Sequence, residues 1–166
     1  AIDYDDLVFG TGALPVRPPI DGLDVLGPAD GVHLLHSMGD TFALERTLTE
    51  RQPKRALIVG AGYVGLEMAE GLTTRGIEVI QVETLPEVLP TVDPELGSLV
   101  HDELTNHGVA VHTRATVTRI SRTAGAGNQL HVEGRAADRD VSWDVDLVLV
   151  VVGVRPDTEL LITAGA

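Results

Sequence analysis

Leu57-Ile58-Val59-Gly60-Ala61-Gly62-Tyr63-Val64-Gly65-Leu66-Glu67-Met68-Ala69-Glu70 is an apolar run, then a Gly-x-Gly-x-x-Gly turn, then the first half of a helix. Ala56 to Val59 are apolar and partly β-branched, as a strand buried on both faces requires. Residues 63 to 75 place Val64, Met68 and Leu72 at helical spacing, which predicts a helix with these three on one face. A strand therefore runs straight into a helix N-terminus.

That junction suits a pyrophosphate, because a helix start offers unpaired N–H groups and the positive end of the helix dipole. Gly60 permits the tight turn, Gly62 lets an anion approach the backbone, and Gly65 lets helix and strand come close. Ala61 and Val64 complete the turn and the helix start. Glycine-rich turns are common, so the rest of the unit decides the reading. Gly76 is placed to end the helix, and Ile77 to Glu83 alternates as a second strand ending in an acid. Glu83 stands roughly twenty residues beyond Gly60, where a dinucleotide fold holds the carboxylate that accepts from an adenosine ribose. A carboxylate there favours NADH over NADPH, since it repels a 2′-phosphate, and Thr84-Leu85-Pro86-Glu87 supplies no arginine to offset that repulsion.

With 43% hydrophobic residues in 166, the chain can bury a core of its own. Its formal charge of −13 disfavours nucleic acid as a partner, because nonspecific binding needs basic contacts to phosphate. A dinucleotide is also anionic, but it is held locally at a helix terminus. Absence of cysteine excludes a disulfide or a thiolate nucleophile within these residues. No uninterrupted apolar stretch reaches ~18 residues and no signal sequence opens the chain, so a soluble, cytoplasmic protein without membrane contact is expected. The six histidines show no metal-ligand spacing, and no Gly-x-Ser-x-Gly elbow supports a serine triad.

Outward from the central motif, Ile2 to Phe9 reads as a short strand leading to Thr11-Gly12, and Leu14 to Gly22 as an extended, proline-punctuated linker. Gly31 to Leu35 suggests another strand, and Asp40-Thr41 the start of a helix through Leu48. Asp93-Pro94-Glu95 should open a third helix whose apolar stripe is Leu96, Leu99, Val100 and Leu104, stopped by Asn106-His107-Gly108 before a strand at Val109–His112. Val117–Ile120, Gln129–Val132 and Val141–Trp143 read as three antiparallel strands, with a hairpin turn over Thr123–Asn128. Asp146 to Val152 returns to an unbroken apolar run, as for a central parallel strand, and Gly153 to Thr158 reads as the loop at its end. The fold class expected is α/β: a Rossmann-like nucleotide-binding domain, mainly parallel, with a three-stranded antiparallel β-meander inserted.

These residues resemble the NADH-binding domain of the FAD-dependent pyridine nucleotide-disulfide oxidoreductases, in particular the coenzyme A-disulfide reductases, NADH oxidases and NADH peroxidases. The resemblance covers nearly the whole chain and is closest over residues 53–108, in Gly-Tyr-Val-Gly-Leu-Glu-Met-Ala-Glu, Arg-Gly-Ile-Glu-Val and Leu-Pro-Thr-Val-Asp-Pro-Glu. Tyr4-Asp5-Asp6-Leu7 through Thr11-Gly12-Ala13 is similar to the family's Thr-Gly segment at the crossing from the flavin domain. Val152 to Thr158 is similar to its Gly-x-x-Pro-Asn loop, with Asp157 in place of Asn.

The resemblance implies that residues 1–52 are the crossing segment and linker, and residues 53–166 the NADH-binding domain. It implies Tyr63 as an aromatic gate over the flavin, Glu67 beside the nicotinamide amide, Gly153 offering backbone to the nicotinamide, and Thr11 and Gly12 on the FAD side. Tyr63 equally suits packing of the first helical turn, Glu67 a solvated position, and Thr11 and Gly12 a simple turn. The family's flavin-binding glycine motif, redox cysteine, Gly-Asp motif and dimerisation domain are absent from these residues. The chain is thus read as the middle domain of a homodimeric flavoprotein, binding NADH without turnover and holding no catalytic residue. Its parent would pass electrons through FAD to a disulfide, peroxide or oxygen. An NADH:ferredoxin reductase and a noncatalytic NADH-binding module stand as alternatives.

Overall fold

The computed structural model describes residues 3–123, 127 and 129–165. In chain order the elements are β1 (Ala13–Pro15), a 3-10 turn at Pro28–Asp30, β2 (Val32–Leu34), α1 (Met38–Arg51), β3 (Arg55–Val59), α2 (Tyr63–Thr74) and β4 (Glu78–Val82). There follow α3 (Pro94–Asn106), β5 (Ala110–His112), β6 (Ala115–Arg122), β7 (Leu130–Ala136), β8 (Arg139–Val145), β9 (Leu147–Val150), β10 (Val154–Pro156) and α4 (Glu159–Thr163).

The apolar runs form a five-stranded parallel sheet in the order β2-β9-β3-β4-β5. The steps β2 to β3, β3 to β4 and β4 to β5 all move the same way across it. Right-handed crossovers therefore place α1, α2 and α3 on one face. The step from β5 back to β9 moves the other way, so its connection must cross the opposite face. That connection is the antiparallel sheet β6-β7-β8.

Strand alternation divides the core accordingly. Ala56, Ile58, Val79, Leu147 and Leu149 meet Leu44 of α1 and Ala69 and Leu72 of α2. Leu57, Val59, Ile80, Val82, Val148 and Val150 meet Val117, Ile120, Leu130 and Val132 of the meander. The result is three layers, helices on sheet on sheet, with β3 and β9 at the centre. The expected α/β class with its antiparallel insertion is found, and the insertion is itself the return crossover.

Several local expectations are corrected. Asp3 to Phe9 forms no strand, and Val8 is 90% exposed; the stretch carries three acids and has no neighbouring strand to pair with, while Ile2 lies outside the described residues. The N-terminal strand is instead β1, which pairs antiparallel with β10, so the segment read as a loop after Gly153 contains a strand. The proline-punctuated stretch is pinned rather than free: Asp21 N–H donates to Thr118 O, Ile120 N–H donates to Asp21 O, and Ile20 and Leu23 are buried against the meander. Of the hairpin tract, Ala124, Gly125, Ala126 and Asn128 lie outside the described residues.

Three helix readings also shift. Ser37, not Asp40, caps α1: its hydroxyl accepts from Asp40 N–H while the Asp40 carboxylate accepts from Ser37 N–H at 2.7 Å. This is a capping box with Asp in the third position. The buried face of α2 is Gly65, Ala69 and Leu72, whereas Val64 faces out. In α3 only Gly97 is buried, and Leu99 is 65% exposed. The helix lies at the edge of the sheet, over a β5 of three residues that offers little surface to cover.

A buried histidine adds a pH dependence to stability. His33 on β2 is buried, its Nε2 paired with the Thr47 hydroxyl at 3.0 Å. Burial pushes its imidazole down to about 4, with the positive charge of Arg51 adding and Asp40 opposing. The unfolded chain then binds this proton at higher pH than the folded one, so the contribution to stability is complete above about 6.5 and is lost as pH falls towards about 4. His33→Leu should flatten that part of the profile, since Thr47 still donates to Ala43 O. Urea denaturation between pH 7 and pH 4 checks this, and an equally steep loss in the variant would place the proton elsewhere.

Candidate functional site

Beyond the C-terminal ends of β3, β4 and β9 the structure opens a cleft of about 490 Å³, lined by Gly60, Gly62, Tyr63, Val64, Glu83 and Gly153 among others. An open α/β sheet binds ligands at this edge.

Gly60 leaves β3 at φ +103, and a Cβ there would stand 2.7 Å from the Val151 carbonyl at the end of β9. Gly65 is closed more tightly still: a Cβ would lie 2.2 Å from Gly60 O. Gly62 has ordinary φ and open space beside it, so a side chain there would enter the cleft without straining the backbone. Ala61 is fully buried behind the turn. The first backbone bond of α2 runs from Leu66 N–H to Gly62 O. The N–H groups of Tyr63 and Val64 precede it, so they have no helical acceptor and are available at the positive end of the helix. Tyr63 is 62% exposed and lines the cleft.

Glu83 is buried at the rim, and its two carboxylate oxygens accept from Ala61 N–H at 2.8 Å and Leu85 N–H at 2.9 Å. Each oxygen retains capacity for a second donor. The acid was legible in the sequence, but its grip on the glycine turn was not. A further participant was overlooked: Gln81, fully buried in β4, donates from Nε2 to Gly60 O at 3.2 Å. A lone polar residue in the apolar Ile80-Gln81-Val82 run was the available signal.

Gly153 lies in the cleft at φ +107, and its carbonyl accepts from Val16 N–H at 2.9 Å. Glu67 does not line this cleft. It borders a larger groove of about 790 Å³ between α2 and α3, together with Leu66, Leu99 and Glu103. Thr11 and Gly12 also lie apart from the cleft lining, but they meet the other flanking motif. The Thr11 hydroxyl donates to Asp157 O, and Asp157 N–H donates to Gly12 O at 3.0 Å. Both contacts use the Asp157 backbone, so Asp in place of Asn leaves them intact. Among the described residues no three His, Asp or Glu side chains cluster to hold a metal, and no helix is long and apolar enough to cross a membrane.

The chain is matched over residues 1–166 by the family model described as pyridine nucleotide-disulphide oxidoreductase. It is 37% identical to an NADH oxidase of Methanocaldococcus jannaschii, over 99% of this chain and 34% of that protein. Among solved structures it is similar to a water-forming NADH oxidase from Lactobacillus brevis bound to NADH, with TM-score 0.82, 29% identity, and coverage of 98% of this chain and 33% of that one. A ferredoxin reductase from Rhodopseudomonas palustris gives TM-score 0.83 and 29% identity, covering 99% and 38%. The chain thus spans about a third of the length of these proteins.

The two glycines of the turn should separate on substitution. Gly65→Ala has no room against backbone and should cost about 1–3 kcal/mol in urea denaturation. Gly62→Ala should leave stability within about 0.5 kcal/mol. Equal losses would mean that the turn relaxes as a whole.

Proposed function

Because the chain belongs to the pyridine nucleotide-disulphide oxidoreductase family, we propose that it is the NADH-binding part of a flavin-dependent oxidoreductase, holding NADH so that hydride can pass to FAD bound by another part of the protein. The observation that carries this reading is the convergence, in one cleft, of free helix-start N–H groups, a side-chain-free Gly62 and the Glu83 carboxylate. The NADH bound to the L. brevis oxidase supports it by likeness.

The residues fit the cofactor chemically. Tyr63 and Val64 N–H would take the pyrophosphate, whose charge the helix dipole favours. Glu83, with lone pairs to spare, would accept from the adenosine ribose and repel a 2′-phosphate. Gly153 N–H would face the nicotinamide. Tyr63 would cover the flavin until displaced, and Glu67, one turn further along α2, would stand by the nicotinamide amide. Thr11 and Gly12 would lie towards FAD, residues 1–52 forming the crossing and residues 53–166 the cofactor-binding part. When bound, the nicotinamide supplies the redox chemistry, and the protein supplies position and electrostatics. No residue of this chain is assigned a covalent role, so alone it would bind NADH without turnover. The acceptor, whether disulfide, peroxide or oxygen, would be set outside it.

The likeness to a ferredoxin reductase supports a second reading, in which the same cofactor site serves transfer to an iron–sulfur protein. Calorimetric titration of the chain with NADH and NADPH tests what the two share. NADH should bind the more tightly, and Glu83→Ala should bring the two dissociation constants together by weakening NADH. Binding of neither, or a ratio unmoved in the variant, would overturn the assignment.

A further inference from the structure

Gln81 is poorly explained by stability. It has no exposed surface, and it stands on the helix-facing side of β4, in register with Ile58 on one neighbouring strand and Val111 on the other. Its Oε1 is buried with no partner among the described residues. A buried amide satisfied at only one end costs free energy that an apolar side chain of similar size would not. A residue that breaks the apolar rule of its strand and leaves one end unpaired points to work at a site.

Its one bond shows what that work is. Gln81 and Glu83 lie two apart, hence on the same side of the strand. They grip opposite ends of a single peptide unit: Gln81 Nε2 donates to Gly60 O at 3.2 Å, and the Glu83 carboxylate accepts from Ala61 N–H at 2.8 Å. Gly60 N–H is separately tied to Val82 O at 2.8 Å, and Ala61 O accepts from Leu89 N–H at 2.8 Å. A peptide next to a glycine at positive φ has little steric resistance to turning over, because the glycine accepts both hands of backbone. Turning it would break both grips together and disturb the turn that leads into α2. The space that receives the Gln81 amide exists because Gly65 is bare: a Cβ there would come within 2.9 Å of Nε2.

We propose that Gln81 is a positioning residue that locks the Gly60–Ala61 peptide in the orientation required to present the helix-start N–H groups to the pyrophosphate of a dinucleotide. The locked peptide in turn holds the Glu83 carboxylate at the rim of the cleft. The ligand named here rests on the function proposed above, whereas the lock itself is a property of the free chain.

The test replaces Gln81 with Met, close in size and without the donor. NADH affinity is measured by calorimetry, amide hydrogen exchange at Ala61 and Leu89 by NMR, and stability by urea denaturation. The lock predicts about tenfold weaker NADH binding and about tenfold faster exchange at Ala61, with the loss of protection concentrated at Ala61 and Leu89 and a urea midpoint lowered by no more than the loss of one buried hydrogen bond. Unchanged affinity and exchange would overturn it, as would a uniform loss of protection and stability across the chain, which marks a merely structural residue. If wild-type chain bound no NADH while the variant still exchanged faster at Ala61, the lock would stand and the assignment of its ligand would fall. Should the Met variant not fold, Gln81→Leu carries the same comparison.

Discussion

The cleft depends on how closely the end of β3 can be approached from three sides. Val151 presses on Gly60 from β9, α2 brings Gly65 onto the Gly60 carbonyl, and β4 reaches across through Gln81, Val82 and Glu83. A side chain at either glycine would push one of these neighbours away. The first N–H groups of α2 precede its first backbone bond and so have no helical acceptor. The features that suit an anion are therefore the residue of a packing problem solved without Cβ atoms.

The electrostatics follow the same local logic. A chain of formal charge −13 is an unpromising host for an anionic ligand if judged as a whole. Only the field within the cleft matters at contact, where fixed backbone dipoles converge and the one nearby carboxylate is already bonded twice to the backbone. Glu83 is thereby both a structural tie and a negative edge to the cleft.

Legibility in the sequence followed distance along the chain. The order of elements from β3 through α2 to β4 could be read, because strand, turn and helix succeed one another and each glycine punctuates a local event, whereas the face that α2 buries, Gly65, Ala69 and Leu72, could not. The ribbon of β1 and β10 could not, since its strands are three residues each, contain Pro15 and Pro156, and acquire meaning only by pairing across the whole chain. The solvent-facing half of α3 escaped for another reason. Periodicity shows which side of a helix is apolar, but not whether a sheet of sufficient width waits beneath it. Gln81 was passed over within an alternating strand, and only three dimensions show that its amide and the carboxylate of Glu83 share one peptide.

The position of β9 bears on how the molecule comes into being. It comes later in the chain than the other four strands of its sheet, yet it sits between β2 and β3, pairing with three residues of the first and four of the second through an unbroken apolar run. A nascent polypeptide emerging in order can assemble β3, α2, β4 and α3 by neighbouring contacts, but β2 has nothing to join until residue 147 and beyond arrive. The half-made sheet thus carries a bare hydrogen-bonding edge on β3 and an unhoused β2 until residues 147–150 are made. Closure is a late, long-range event of the kind that slows folding and favours protection by chaperones.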